Sequence, residues 1–264
     1  MRPIQLNEIP FEIREYLGTI HSIQFPIQGD TSDVGIMESS EGTYALKRTK
    51  EELFNSWLSK EVSVLNVLTA QTDLPVPKVN KFVEQTDKKE NWALFDYIEG
   101  ETIKSALETE ENQEKRMEII FNFGKILAEI HSTPPPKSLM HNQSWIDDML
   151  QEAEYNLINY TVDGSRDLLH DIKINKPKAH KQTLIHGDYT IDNVLVHNGK
   201  ISGVIDWGSG AFGDPRYDVS LAIRPKPGAF ENEADTQTFF EGYGRKIISK
   251  KDYDYFVHGI YEFF

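Results

Sequence analysis

The sequence contains no cysteine, which removes disulfides, thiolate zinc sites and a cysteine nucleophile together and suits a reducing compartment. It has no run of 18 apolar residues, and Met1 to Gly18 alternates apolar and charged residues without the apolar core of a signal peptide. No membrane partner and a cytoplasmic location are therefore expected. Basic residues are scarce, 28 Lys and Arg against 42 Asp and Glu, for a net charge of −14. Such a chain repels phosphate backbones and gains nothing from counterion release, so nucleic acid is not an expected partner, whereas a cationic ligand is compatible. Internal repeats and low-complexity tracts are also missing. The hydrophobic share of 39% excludes a disordered or fibrous chain.

What is present divides unevenly. From about Ile9 to Val83 the segments are short and β-rich around one helix, and from about Ile103 long helical patterns dominate. An α+β protein of two lobes is expected, residues 1–98 and 99–264, with a hinge at Asp96-Tyr97-Ile98-Glu99-Gly100, where the apolar strand Trp92 to Phe95 gives way to glycine.

In the first part, Thr43 to Lys47 alternates as a strand does, so Lys47 shares a face with Ala45. The next segment, Glu51 to Gln71, carries a helical apolar stripe through Phe54, Trp57, Leu58, Leu65 and Leu68, and Glu61 falls on that stripe. A carboxylate on a buried face is costly unless paired, so the pattern asks for a nearby cation, and Lys47 is a candidate. A second helix, Glu114 to His131, has a stripe through Gly124 and Leu127 that ends on His131, read as a hydrogen-bonded packing residue.

The polar residues become specific between Leu184 and Asp218. His186-Gly187-Asp188 is followed by Asn193, then by strand Val194 to Val196, the turn signal Asn198-Gly199, and strand Ile201 to Ile205 ending at Asp206. The hairpin brings Asp206 roughly opposite Ile191, about 7 Å along the strand from Asn193. Carboxylate and amide oxygens suit Mg²⁺, which keeps waters and is completed by substrate phosphates. Asp188 is then left to face a nucleophile. Phosphate-neutralising metal, phosphate-holding lysine and hydroxyl-orienting carboxylate are what phosphoryl transfer needs.

His186-Gly187-Asp188 with Asn193, followed by Ile205-Asp206-Trp207, resembles the signature of the aminoglycoside phosphotransferase and choline kinase superfamily. The resemblance implies a protein-kinase-like fold, ATP or GTP with Mg²⁺ as cofactors, and a small-molecule alcohol as acceptor. It makes Asp188 the catalytic base and Asn193 and Asp206 the metal ligands. It sets the nucleotide against Lys47, Glu61, Ser32, Ala45, Asp96 and Ile98, and gives His186 and Asp218 supporting roles. The phosphate loop would be Gly29 to Gly35, which lacks the glycine-rich pattern of protein kinases but is similar to the sparser loop of small-molecule kinases. Ser209 stands where aminoglycoside 3′-phosphotransferases tend to carry arginine.

The end of the chain, Tyr261-Glu262-Phe263-Phe264, resembles the drug-binding terminus of aminoglycoside 3′-phosphotransferases, which implicates Glu262 and Phe264 in holding a cationic acceptor. Those residues could equally pack or end a helix. An aminoglycoside-type antibiotic is the expected acceptor, with choline, homoserine, methylthioribose or a macrolide as alternatives, and a nucleotide-binding pseudokinase as the non-enzymatic one. A monomer or dimer is expected. A lone G-x-G-x-x-G at Gly208 to Gly213 raises a nicotinamide dehydrogenase, but too little chain follows it for a dinucleotide-binding domain. No G-x-x-x-x-G-K-[ST] exists, which excludes a P-loop kinase, and the absence of His-Arg-Asp, Asp-Phe-Gly and Ala-Pro-Glu speaks against a protein kinase.

Overall fold

In the computed structural model, which describes residues 3–26, 31–140 and 143–264, the chain divides into two units. Residues 1–99 and 203–209 form the first, and residues 100–202 and 210–264 the second.

The first unit begins with a short helix, α1 (Phe11–Leu17), absent from the sequence expectation, and continues through β1 (Ile20–Gln24), β2 (Asp33–Ser39) and β3 (Gly42–Thr49) to α2 (Glu52–Gln71), β4 (Val79–Gln85) and β5 (Glu90–Asp96). The five strands make one antiparallel sheet in the order β1-β2-β3-β5-β4. Alternation along β3 separates two faces. Leu46 is buried with Met37, Trp92 and Leu94 against Ile4, Ile9, Ile13 and Leu17, so the N-terminal segment and α1 cover that side. Lys47, one residue on, faces α2, whose stripe buries Leu58, Glu61, Val62, Leu65 and Leu68. Gly29 and Asp30 of the expected phosphate loop lie outside the described residues; Ser32 directly precedes β2.

The second unit contains β6 (Glu101–Thr102), α3 (Ile103–Thr109), α4 (Gln113–Ser132), α5 (Trp145–Asn159), α6 (Arg166–Ile174), β7 (Thr183–Ile185), β8 (Val194–His197), β9 (Lys200–Val204), β10 (Ala211–Gly213), α7 (Pro215–Ala222), α8 (Glu233–Tyr243) and α9 (Lys250–Val257). The last residues of β9 belong to the first unit's 203–209 segment. The β8–β9 turn has Asn198 at φ 51° and Gly199 at φ 75°, the paired left-handed residues of a type I′ hairpin. Helices α4 and α8 approach through glycine. A Cβ on Gly124 would lie 2.1 Å from the Phe239 carbonyl oxygen, and one on Gly242 would lie 1.9 Å from that of Phe121. Beside this crossing Phe123 stacks on Tyr189, with ring centroids 4.7 Å apart, and meets Phe239 edge-on. A separate core gathers Trp145, Leu150, Leu169, Ile172, Ile185, Tyr217, Phe256 and Phe263.

Among the described residues the pairings β1–β2, β2–β3, β3–β5, β4–β5, β6–β8 and β7–β10 are antiparallel, so Gly208 to Gly213 does not sit at the head of a parallel dinucleotide-binding sheet.

Candidate active site

In the first unit, Lys47 Nζ donates to Glu61 Oε1 at 2.9 Å and Oε2 at 3.1 Å, and also contacts Asp206 Oδ1. β3 supplies the lysine, α2 the glutamate, and the turn after β9 the aspartate. Burial disfavours the ammonium, but the two carboxylates outweigh it and hold the Lys47 pKa above its ordinary value. Glu61 is pushed up by burial, an effect that Lys47 opposes and the Asp206 charge reinforces. Asp206 itself adopts φ 63°, a left-handed conformation that aspartate tolerates better than most residues.

Of the other residues assigned to the nucleotide, Ala45 and Asp96 lie on the same sheet, Ser32 just precedes β2 and Ile98 follows β5. Ala45 pairs with Ile36 and Phe95 at the centre of β3. Asp96 closes β5; its carboxylate accepts from Asn80 Nδ2 at 2.6 Å and its backbone N–H donates to the Lys78 carbonyl at 2.9 Å. Ile98 lies over Gly203, where a Cβ would come within 2.7 Å of the Ile98 side chain.

In the second unit, the loop after β7 turns at Gly187, φ 81°, a conformation natural to glycine. Asp218, fully buried in α7, accepts the backbone N–H of His186 at 2.7 Å and of Gly187 at 2.8 Å. His186 Nδ1 then accepts the Asp188 N–H at 3.2 Å. Asn193 Nδ2 donates to the Asp188 carbonyl at 2.9 Å and to Asp188 Oδ2 at 2.8 Å. The Asp188 carboxylate is thus oriented by an amide five residues away. His131 on α4 joins the same network, with Nδ1 2.8 Å from the Tyr243 hydroxyl and Nε2 3.2 Å from Asp218. Tyr243 is pushed up to about 12 by burial.

Several contributors were not assigned from sequence. Asp192, inside the loop, pairs with Lys226 at 2.7 Å and Lys104 at 3.4 Å. The Arg224 guanidinium lies 4.5 Å from the Tyr261 ring centroid. Burial raises the Tyr217 and Tyr261 phenols, and the Asp188 charge raises both further. Lys104 and Lys226 carry no periodic signal in the sequence, and only their loop partner Asp192, beside Asn193, could have pointed to them.

The terminal residues differ in environment. Phe263 is completely buried, its carbonyl accepts from Asn156 Nδ2 at 3.0 Å, and its ring fills the space a Cβ on Gly164 would need. Phe264 is 41% exposed. The Glu262 carbonyl accepts the Gly164 N–H at 2.7 Å. Of the acidic residues on α5, Asp147 pairs with Lys176 and Glu154 with Lys173.

A metal needs oxygen donors here. Among the described residues no group of three or more His, Cys, Asp or Glu forms a metal cage, as fits an ion completed by waters and phosphates rather than by protein alone. The Asn193 amide uses its nitrogen on Asp188, which leaves its oxygen for an outside partner. That oxygen and the Asp206 carboxylate are donors of the type Mg²⁺ takes.

The fold is shared with solved phosphotransferases. A streptomycin–ATP ternary complex of APH(2")-IIa superposes with a TM-score of 0.65 at 20% identity, covering 93% of this chain and 86% of that one. The two units therefore have a kinase-like α+β fold. An aminoglycoside 3′-phosphotransferase of Enterococcus faecalis is 26% identical over 214 residues, 77% of this chain and 74% of the relative. A homoserine kinase of Neisseria meningitidis is 25% identical over 260 residues, 91% of this chain and 79% of the relative. The model of the phosphotransferase enzyme family matches residues 26–253. The chain belongs to that family, and it is a small-molecule kinase that transfers phosphate to a hydroxyl acceptor.

Proposed function

We propose that this protein transfers the γ-phosphate of ATP or GTP to a hydroxyl of an aminoglycoside-type antibiotic. The observation that carries the catalytic assignment is the Asp188 carboxylate, oriented by Asn193 on a loop whose backbone Asp218 holds. In this reading Asp188 orients the acceptor hydroxyl and accepts its proton as the oxygen attacks the γ-phosphorus, and the bond from that phosphorus to the β-phosphate oxygen breaks to release ADP or GDP. Lys47, kept charged by Glu61 and Asp206, holds nucleotide phosphates; Ser32, Ala45, Asp96 and Ile98 complete the nucleotide contacts. Asn193 and Asp206 would hold Mg²⁺, which when bound neutralises phosphate charge.

The acceptor class is supported by the Enterococcus relative and by the terminus. Glu262, near the exposed Phe264, offers charge-assisted hydrogen bonds to ammonium groups.

The test is ADP or GDP formation by purified protein with Mg²⁺ and either nucleotide, against kanamycin, spectinomycin, a macrolide, choline and homoserine. Turnover with the aminoglycosides is expected. Turnover with homoserine or choline alone would replace the acceptor assignment. Nucleotide binding with silence across the panel would favour a pseudokinase.

A further inference from the structure

Behind Lys47, on the opposite face of the sheet, sits a buried guanidinium that phosphoryl transfer does not use directly. Arg48 follows Lys47 in β3, so strand alternation turns it toward the N-terminal segment. Its Nε and Nη2 donate to Asp33 Oδ2 at 2.9 and 2.6 Å, and Nη1 donates to Glu8 Oε2 at 2.9 Å. Arg48 is 1% exposed and Asp33 4%. The guanidinium also lies 5.0 Å from the ring centroid of Trp92, its cross-strand neighbour. Lys50 Nζ approaches Asp33 at 3.1 Å, and Glu8 is itself held by the Gln5 backbone N–H at 2.9 Å.

The placement of this cluster in the chain matters more than its strength. Asp33 directly follows Ser32 and pairs with Arg48 across the ladder, and the next rung pairs Val34 with Lys47. The two residues assigned to phosphate are therefore each the sequence neighbour of one partner in a single buried ion pair. Desolvation offsets most of the attraction in such a pair, so net stability is a weak reason for its presence. What a planar guanidinium supplies through several hydrogen bonds is fixed geometry.

We propose that Arg48 is a positioning residue for the nucleotide. With Asp33 and Glu8 it fixes the separation of Ser32 and Lys47 and so sets nucleotide affinity from the far side of the sheet. The inference rests on the kinase reading above.

It is tested by titrating the full chain with Mg-ATP and measuring both substrate KM values for wild type, Arg48→Met, Glu8→Gln and Leu17→Ala. Leu17 is fully buried in the same core but adds no polar group, so its variant reports lost stability alone. Misplacement of contact groups by a fraction of an ångström should raise the ATP Kd about tenfold for Arg48→Met and roughly twofold to threefold for Glu8→Gln. The acceptor KM stays unchanged, and Leu17→Ala lowers Tm without moving the ATP Kd. If Arg48→Met does not fold, Glu8→Gln, whose side chain is 42% exposed, decides the matter. Folded variants that bind ATP as wild type does, or a Leu17→Ala shift of equal size, would overturn the proposal. A wild-type protein that binds neither ATP nor GTP sinks the kinase reading itself, and this inference with it.

Discussion

The Asp218 carboxylate accepts the backbone N–H of Gly187 at 2.8 Å, joining α7 to a loop 31 residues earlier in the chain. Its second oxygen accepts the His186 N–H at 2.7 Å, so one buried side chain satisfies two consecutive amides ahead of Asp188. Asp218→Asn keeps the shape but replaces one acceptor with a donor that faces an N–H. A stability loss of about 1–3 kcal/mol is expected from the stranded amide. The kcat should fall while the nucleotide KM holds, because Lys47 and Ser32 are untouched. Thermal melts and steady-state kinetics check this, and an unchanged kcat would separate Asp218 from the catalytic loop's function.

Asp188→Ala should leave nucleotide binding intact and reduce turnover by about 10²–10⁴, the usual range for a general base. Asn193→Ala and Asp206→Asn should respond differently, recovering part of their lost rate as Mg²⁺ or Mn²⁺ is raised. A metal titration of all three variants checks the division of labour. Identical responses would mean that the base and metal-holding roles are wrongly divided.

Phe263 is completely buried in the core, whereas Phe264 is 41% exposed. Phe263→Ala should cost about 3–5 kcal/mol through the cavity left in the core, so truncation past it reports on folding. Glu262→Gln leaves that core intact. On the proposed reading it should raise the acceptor KM and leave the nucleotide KM unchanged, which is how lost uniform binding appears. The effect should shrink as salt is added.

Asp192 gives a pH signature. Burial alone would lift its pKa, but hydrogen bonding and charge from Lys226, with help from Lys104, hold it below the ordinary value. A lowered folded-state pKa contributes stability that is present above the unfolded value near 3.9 and is lost as pH falls through the folded one. Lys226→Met should therefore cost about 0.5 kcal/mol at pH 7, a small figure because Asp192 is 37% exposed. The difference from wild type should vanish below about pH 3, as denaturant melts across pH would record.

Some of this architecture could be read from the chain and some could not. The Lys47–Glu61 contact was legible because a period-two strand and a helical stripe each put one charge on a buried face, and each charge required the other. The β8–β9 turn was legible because Asn198-Gly199 suits two consecutive left-handed residues. The Arg48–Asp33–Glu8 cluster was not, since its partners are separated by 15 and 40 residues and no local pattern links them. The individual bounds of α5 and α6 were not legible within the long helical patterns after Ile103, and the pairing of Asp147 with Lys176 and of Glu154 with Lys173 is set by contacts distant in sequence. The grouping of Gly203–Ser209 with the first unit is likewise a long-range outcome that no segment announces by itself.

Gly124 and Gly242 bring the backbones of α4 and α8 together with no side chain between them. Amides at such a crossing are shielded by another main chain instead of by mobile side chains, so their release requires the two helices to part. Native-state hydrogen exchange should therefore find the α4–α8 amides among the last to exchange, with free energies close to that of global unfolding. The short turn at Leu6–Glu8, which has no buried residue, should exchange among the first. The helical unit would then have its most persistent part where its residues are smallest.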